Sequence, residues 1–188
     1  MCMRNVMMMG LITVLSMGTF WSSEAADQHD RMYGYGLGRP ATDLDVQQWN
    51  IDVAPTGEGL PPGRGTAKQG AAIYATKCAS CHGPTGQEGP MDRLVGGVGT
   101  LGSQKPVKTI GSYWPYATTL YDYVYRAMPF PAPQSLSSDE VYSVVAWLLS
   151  QNGIIAEDTI LDAHSLPSIR MPNQKGFVPD PRPDVPRN

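Results

Sequence analysis

Cys78-Ala79-Ser80-Cys81-His82 is the stretch from which the rest of this chain is read. Two thiols two residues apart, with an imidazole directly after the second, suit covalent attachment of a haem c. Cys78 and Cys81 would add to the two porphyrin vinyl groups, and the tight turn would set His82 under the iron as proximal ligand. Two other readings of a C-x-x-C compete. Half of a zinc site would need further Cys or His ligands at short spacing, and the sequence offers none. A thioredoxin-like redox pair would need a βαβ setting, which this stretch lacks.

A chain of 188 residues has room for one domain with extensions, or for two small ones. A hydrophobic content of 41% would support a core, while Gly 20 and Pro 17 imply much irregular chain. The net charge is only -3 and no Lys or Arg run is interleaved with aromatics, which argues against a nucleic-acid partner. Cys2 lies in the leader, so no structural disulfide remains once Cys78 and Cys81 hold the haem. A covalently held macrocycle would then staple a small exported domain.

Arg4 precedes an apolar run from Val6 to Phe20, and Ser23-Glu24-Ala25 puts small residues where a signal peptidase reads. Residues 1–25 are therefore expected to be a secretory signal peptide, cut after Ala25, and the mature protein to be periplasmic. The alternative is an uncleaved anchor. Its run is short of the ~20 residues a spanning helix needs, so no stable membrane span is expected after cleavage. No small-residue lipobox precedes Cys2. Residues 26–65 read as an extended N-terminal arm. The glycines at 34, 36 and 38 have the wrong spacing and setting for a nucleotide loop. Thr42 to Trp49 suggests one short helical turn, and Leu60-Pro61-Pro62-Gly63 punctuates the end of the arm. Tyr33, Tyr35, Trp49 and Ile51 give the arm apolar anchors that a disordered tail lacks. It is expected to pack on the haem domain, on a partner, or on both.

Residues 66–153 carry the firm helices. Over Thr66 to Lys77, Ala67, Gly70, Ala71, Tyr74 and Cys78 share one face. Gly70 costs up to ~1 kcal/mol in a helix interior, and close approach of a second helix would compensate, with Tyr74 packing across the crossing. That second helix is Ser137 to Asn152. Ser137 and Glu140 form a capping box; Val141, Val144, Val145 and Leu148 make a buried stripe that Trp147 widens; Gly153 stops it. Between the two lie a glycine- and proline-rich loop and a third helix, Tyr116 to Arg126. A carbonyl near Pro84 or Pro90 is expected to accept the His82 Nδ1–H. Leu94 is either a haem contact or an ordinary core leucine.

The third helix ends at Met128-Pro129, where proline forces the chain out of helix. A thioether in a loop stiffened by Pro129, Pro131 and Pro133 suits a distal iron ligand. Met32, Met91, Met171, His29, His164 and an open site compete. Met128 is preferred because it falls after the proximal site and just before the last helix. Tyr113, Trp114 and Tyr116 are candidate propionate donors, with Arg93 or Arg126 to neutralise the charge; Lys105 and Lys108 read as surface residues. In the C-terminal tail, 154–188, Ile169 to Phe177 has apolar anchors and is expected to dock. Pro179 to Pro186 reads as polyproline-like chain.

Gly70 and Tyr74 ahead of the Cys-x-x-Cys-His, with a Met-Pro ahead of the last helix, resemble class I cytochrome c. The resemblance implies an all-α class I cytochrome c fold, to which the arm and tail are added. A narrower resemblance, to the cytochrome c subunit of the Sox sulfane dehydrogenase, is carried by several stretches. They are residues 38–42 (GRPAT), 49–53 (WNIDV), 59–63 (GLPPG), 106–116 (PVKTIGSYWPY), 126–130 (RAMPF) and 132–136 (APQSL), with Met171-Pro172-Asn173 and Gly176-Phe177 in the tail. It spans nearly all of the mature chain. It implies an exported electron-transfer subunit, not itself an enzyme. That subunit would accept electrons from a molybdenum-cofactor dehydrogenase of sulfane sulfur or sulfite and pass them to a downstream soluble cytochrome. Some members carry a second haem domain; one Cys-x-x-Cys-His here sets the expectation of one covalent haem c. Two rival readings are a free electron shuttle and a haem protein with a labile sixth position.

Overall fold

The structure is a computed structural model and describes residues 38–182. The predicted signal peptide, Tyr33, Tyr35, His29 and Met32 lie outside the described residues. From Asp43 onward the chain forms one unit. Its elements are α1 (Asp43–Trp49), β1 (Arg64–Thr66), α2 (Ala67–Lys77), α3 (Ala79–His82), α4 (Ala117–Ala127), α5 (Ser138–Gln151) and β2 (Ile160–Asp162), followed by a 3-10 turn, Leu166–Ser168. No helix among the described residues is long and apolar enough to cross a membrane.

Caps set the ends of the two long helices. Thr66 stands outside α2 and accepts the Gln69 amide at 3.4 Å, while the Gln69 side chain accepts the Thr66 amide at 3.0 Å. The reading from sequence placed Thr66 inside this helix; it is the cap. Ser137 and Glu140 make the expected box on α5, with Glu140 accepting the Ser137 amide at 2.8 Å. Beyond α5, Gly153 takes the left-handed conformation, φ 67, that a helix stop requires.

α2 and α5 cross where the sequence placed the contact. Gly70 is buried, and a Cβ there would run into the Ser143 carbonyl of α5. One turn on, the Tyr74 ring stacks on Trp147 with centroids 3.8 Å apart and planes 28° from parallel. α5 is buried continuously from Val141 to Leu149, well beyond the expected stripe. It is a central helix with neighbours on every side: α2, α4, β1 and β2.

The two short strands were not expected from the sequence. They pair antiparallel with Gly65 opposite Leu161, and Gly65 lies so close to Ser143 of α5 that no side chain would fit. Three-residue strands show no alternation to read; packing on α5 selects them. The structure is otherwise helical, as expected.

The segment before β1 is anchored side chain by side chain. The amide of buried Val53 donates to Asp122 Oδ1 at 2.8 Å, Thr118 Oγ1 donates to the Pro55 carbonyl at 3.0 Å, and Tyr142 OH donates to the Pro61 carbonyl at 3.0 Å. α1 buries none of its residues, and Trp49, expected as an anchor, is 84% exposed. The tail returns to the unit: Leu161, Leu166 and Met171 are buried, Asn173 Nδ2 donates to the Tyr113 carbonyl at 2.8 Å, and Phe177 meets the Tyr113 ring edge-on.

Candidate haem site

α2 runs through Cys78 into the single turn of α3. The Cys81 and His82 amides both donate to the Cys78 carbonyl, at 3.1 and 3.0 Å, and the Gly83 amide donates to Ala79 at 2.9 Å. Cys78, Cys81 and His82 therefore stand at i, i+3 and i+4, on one side of one helical turn. Gly83, at φ 79, ends the turn. Both thiols are free and half-buried. Burial, then the neighbouring Cys81, pushes the Cys78 thiol up to about 11.

His82 is oriented from behind. Its Nδ1 lies 2.8 Å from the Asp92 carbonyl, which favours the tautomer that leaves Nε2 free to ligate. The sequence suggested a carbonyl near Pro84 or Pro90; the acceptor is two residues past Pro90 because the loop folds back on itself. Met91 N donates to the Cys81 carbonyl at 3.0 Å and Leu94 N to Gly86 at 2.8 Å. Glu88 accepts from the amides of Thr85 and Gln87 and from the Thr85 hydroxyl. Those hydrogen bonds, the Thr85 hydroxyl foremost, hold the Glu88 carboxyl below its usual range. Tyr74, buried at the helix crossing, donates its OH to the Gly83 carbonyl at 3.0 Å. Burial, then Cys78 and Glu88, pushes that phenol up to about 12, so it stays a donor.

Met128 caps α4, with its amide on Val124 O at 3.2 Å and an extended backbone. It is half-buried, and with Cys78, Ala79, Leu94, Trp114 and Tyr125 it packs against the main core. Met171 is buried in that core, whereas Met91 is 60% exposed and His164 is exposed. The propionate candidates fare differently. Arg126 is committed to Asp122 through two hydrogen bonds, 2.8 and 2.6 Å, and Arg93 Nε donates to Gln87 O at 3.3 Å. Lys108, read as a plain surface residue, sits 5.0 Å over the Tyr113 ring.

Two residues that the sequence did not bring forward matter here. Asn152, at the end of α5, accepts the Gly96 amide at 3.0 Å and donates to the Leu94 carbonyl at 3.2 Å, tying the Leu94 loop to the central helix. Asp122 joins α4 to the arm. Its i, i+4 spacing with Arg126 is visible in the sequence; its partner Val53, 69 positions earlier, is not. The donor set fits a haem c: two free thiols and a carbonyl-braced imidazole on one helical turn, with a half-buried thioether at the end of α4.

Residues 65–148 match the family model described as "Cytochrome C oxidase, cbb3-type, subunit III". The crystal structure of the sulfane dehydrogenase SoxCD from Paracoccus pantotrophus contains a chain 44% identical to this one. The match has a TM-score of 0.73 and covers 80% of this chain and 75% of that one. No curated protein matches the chain significantly. Joined to a turn bearing two thiols and a braced imidazole, this similarity shows that the chain belongs to the class I cytochromes c, on the branch of the cytochrome subunit of the Sox sulfane dehydrogenase.

Proposed function

We propose that this electron-transfer protein carries one haem c, which Cys78 and Cys81 would hold covalently and to which His82 and Met128 would supply the ligands. It would be the non-catalytic subunit of a periplasmic molybdenum-cofactor dehydrogenase of sulfane sulfur or sulfite. The observation that carries the reading is the His82 ring, fixed by the Asp92 carbonyl on the same turn as two free thiols. When bound, the haem supplies a one-electron iron couple. The chain's own part is to hold, orient and insulate. Cys78 and Cys81 would hold the group covalently, the Asp92 carbonyl raises the basicity of His82, and Met128 would supply the second protein ligand. A thioether ligand favours a raised potential, which suits acceptance from a reduced molybdenum centre and onward transfer to a soluble cytochrome.

The reading includes a cleaved leader at 1–25, an arm at 26–65, a haem domain at 66–153 and a tail at 154–188. The exposed Leu44, Val46 and Trp49 of α1 support a docking role for the arm. Expression with the haem-ligation machinery should give a c-type spectrum and a mass increase of one haem. Cys78→Ala with Cys81→Ala should abolish both, and Met128→Ala should open the reduced protein to carbon monoxide. Native protein that elutes alone, with no molybdenum subunit, would overturn the partnership.

A further inference from the structure

One face of α4 is given over to holding the arm, and that face ends at the distal-ligand loop. Thr118, Asp122 and Arg126 stand four residues apart, so they share a side of the helix. Thr118 holds the Pro55 carbonyl at 3.0 Å. Asp122, buried, holds the Val53 amide at 2.8 Å with one oxygen. Both of its oxygens take the Arg126 guanidinium, at 2.8 and 2.6 Å. Arg126 also feels the charge of Asp52, from the same stretch of arm. Two residues later comes Met128, and the buried Pro129 follows it.

The two contacts to the arm are long-range, spanning 69 and 63 positions. An ordinary surface i, i+4 pair leaves its carboxylate in water and contributes little; here the Asp122 side chain is only 12% exposed and is shared with a backbone amide. Removing it would strand the Val53 N–H in a dry place and free a cation beside the loop that bears the thioether. Displacing the arm would take the Val53 amide from Asp122 and the Pro55 carbonyl from Thr118, leaving the Asp122–Arg126 pair without its tie to the arm.

We propose that Asp122 is a positioning residue for Met128, and that arm residues 52–55 act through it as a lever on the last turn of α4. The inference rests on the Met128 assignment of the proposed function. Its mechanism is mechanical and electrostatic: the arm fixes Asp122, Asp122 draws Arg126 back along α4, and the last turn of α4 presents Met128.

The test is imidazole binding to the ferric holoprotein, since imidazole competes with Met128 for the sixth position. Asp122→Asn should lower the apparent Kd for imidazole about tenfold, and Thr118→Val, which leaves every charge in place, about threefold. The double variant should fall short of the product of the two, because both loosen one segment. Limited proteolysis within residues 51–56 should quicken in the same variants. Faster cleavage with unchanged imidazole affinity in both variants would overturn the proposal; so would unchanged cleavage and affinity. Should Asp122→Asn fail to fold, Thr118→Val decides alone. Met128→Ala in the same assay separates the two claims: imidazole affinity equal to wild type there sinks the ligand assignment, whereas a large gain there with no effect at Asp122 and Thr118 sinks only the lever.

Discussion

Single side chains at this site do two things at once. Tyr74 stacks on Trp147 and, through its hydroxyl, holds the carbonyl that follows the proximal histidine. Tyr74→Phe keeps the ring and strands the Gly83 carbonyl, so a loss of about 1–2 kcal/mol in urea unfolding is expected. Gly70→Ala is harsher, since its methyl would occupy the place of the Ser143 carbonyl. Moving α2 off α5 should cost about 3 kcal/mol and lower the yield of holoprotein. Asp122 adds a pH dependence. Burial, the largest influence on its carboxyl, pushes upward; the Arg126 hydrogen bonds, the Val53 amide and the Arg126 charge together outweigh it and hold the group below its ordinary value. A lowered folded value means its stabilisation is fully present above about pH 4 and fades as the pH falls through the folded value. The protection factor of the Val53 amide against hydrogen exchange should therefore fall as the pH drops through the folded value of Asp122. In Asp122→Asn, whose amide oxygen can still accept from Val53, this pH dependence should disappear.

At the level of elements, the two long helices carry matching boxes, Thr66 with Gln69 and Ser137 with Glu140. The Ser137 amide, then its hydroxyl, holds the Glu140 carboxyl below its usual range. Ser137→Ala should cost about 1 kcal/mol in thermal or urea unfolding, and Glu140→Gln less, since the amide oxygen still accepts. The loop from Leu94 to Ser112 holds no helix or strand, so its backbone depends on polar ties beside the buried Val95 and Ile110. Asn152 grips Leu94 and Gly96, while Ser112 Oγ donates to the Val107 carbonyl at 2.6 Å. Asn152→Ala removes one acceptor and one donor from a half-buried site. It should cost about 2 kcal/mol and visibly broaden the NMR signals of residues 94–97.

Across the whole molecule, Cys78, Leu94, Trp114, Tyr125 and Met128 are half-buried and pack against the core. A covalent haem would stay on the chain in both folded and unfolded states, so it would stabilise by burying its apolar surface in the native state alone. The Cys78→Ala, Cys81→Ala chain should therefore melt well below the holoprotein in circular dichroism. The sequence by itself determined the long helices, the Ser137 cap and the crossing, because hydrophobic period, a capping box and a lone helical glycine are local signals that the chain writes in neighbouring positions. It also determined the thiol and imidazole triad, which lies within one turn. Only the tertiary structure decided that the Asp92 carbonyl braces His82, that Arg126 belongs to Asp122, that Trp49 stays in water, and that two three-residue strands pair across α5. Each of these joins groups far apart in sequence or chooses among equivalent acceptors, and such choices are settled by which surfaces close on one another when the core packs.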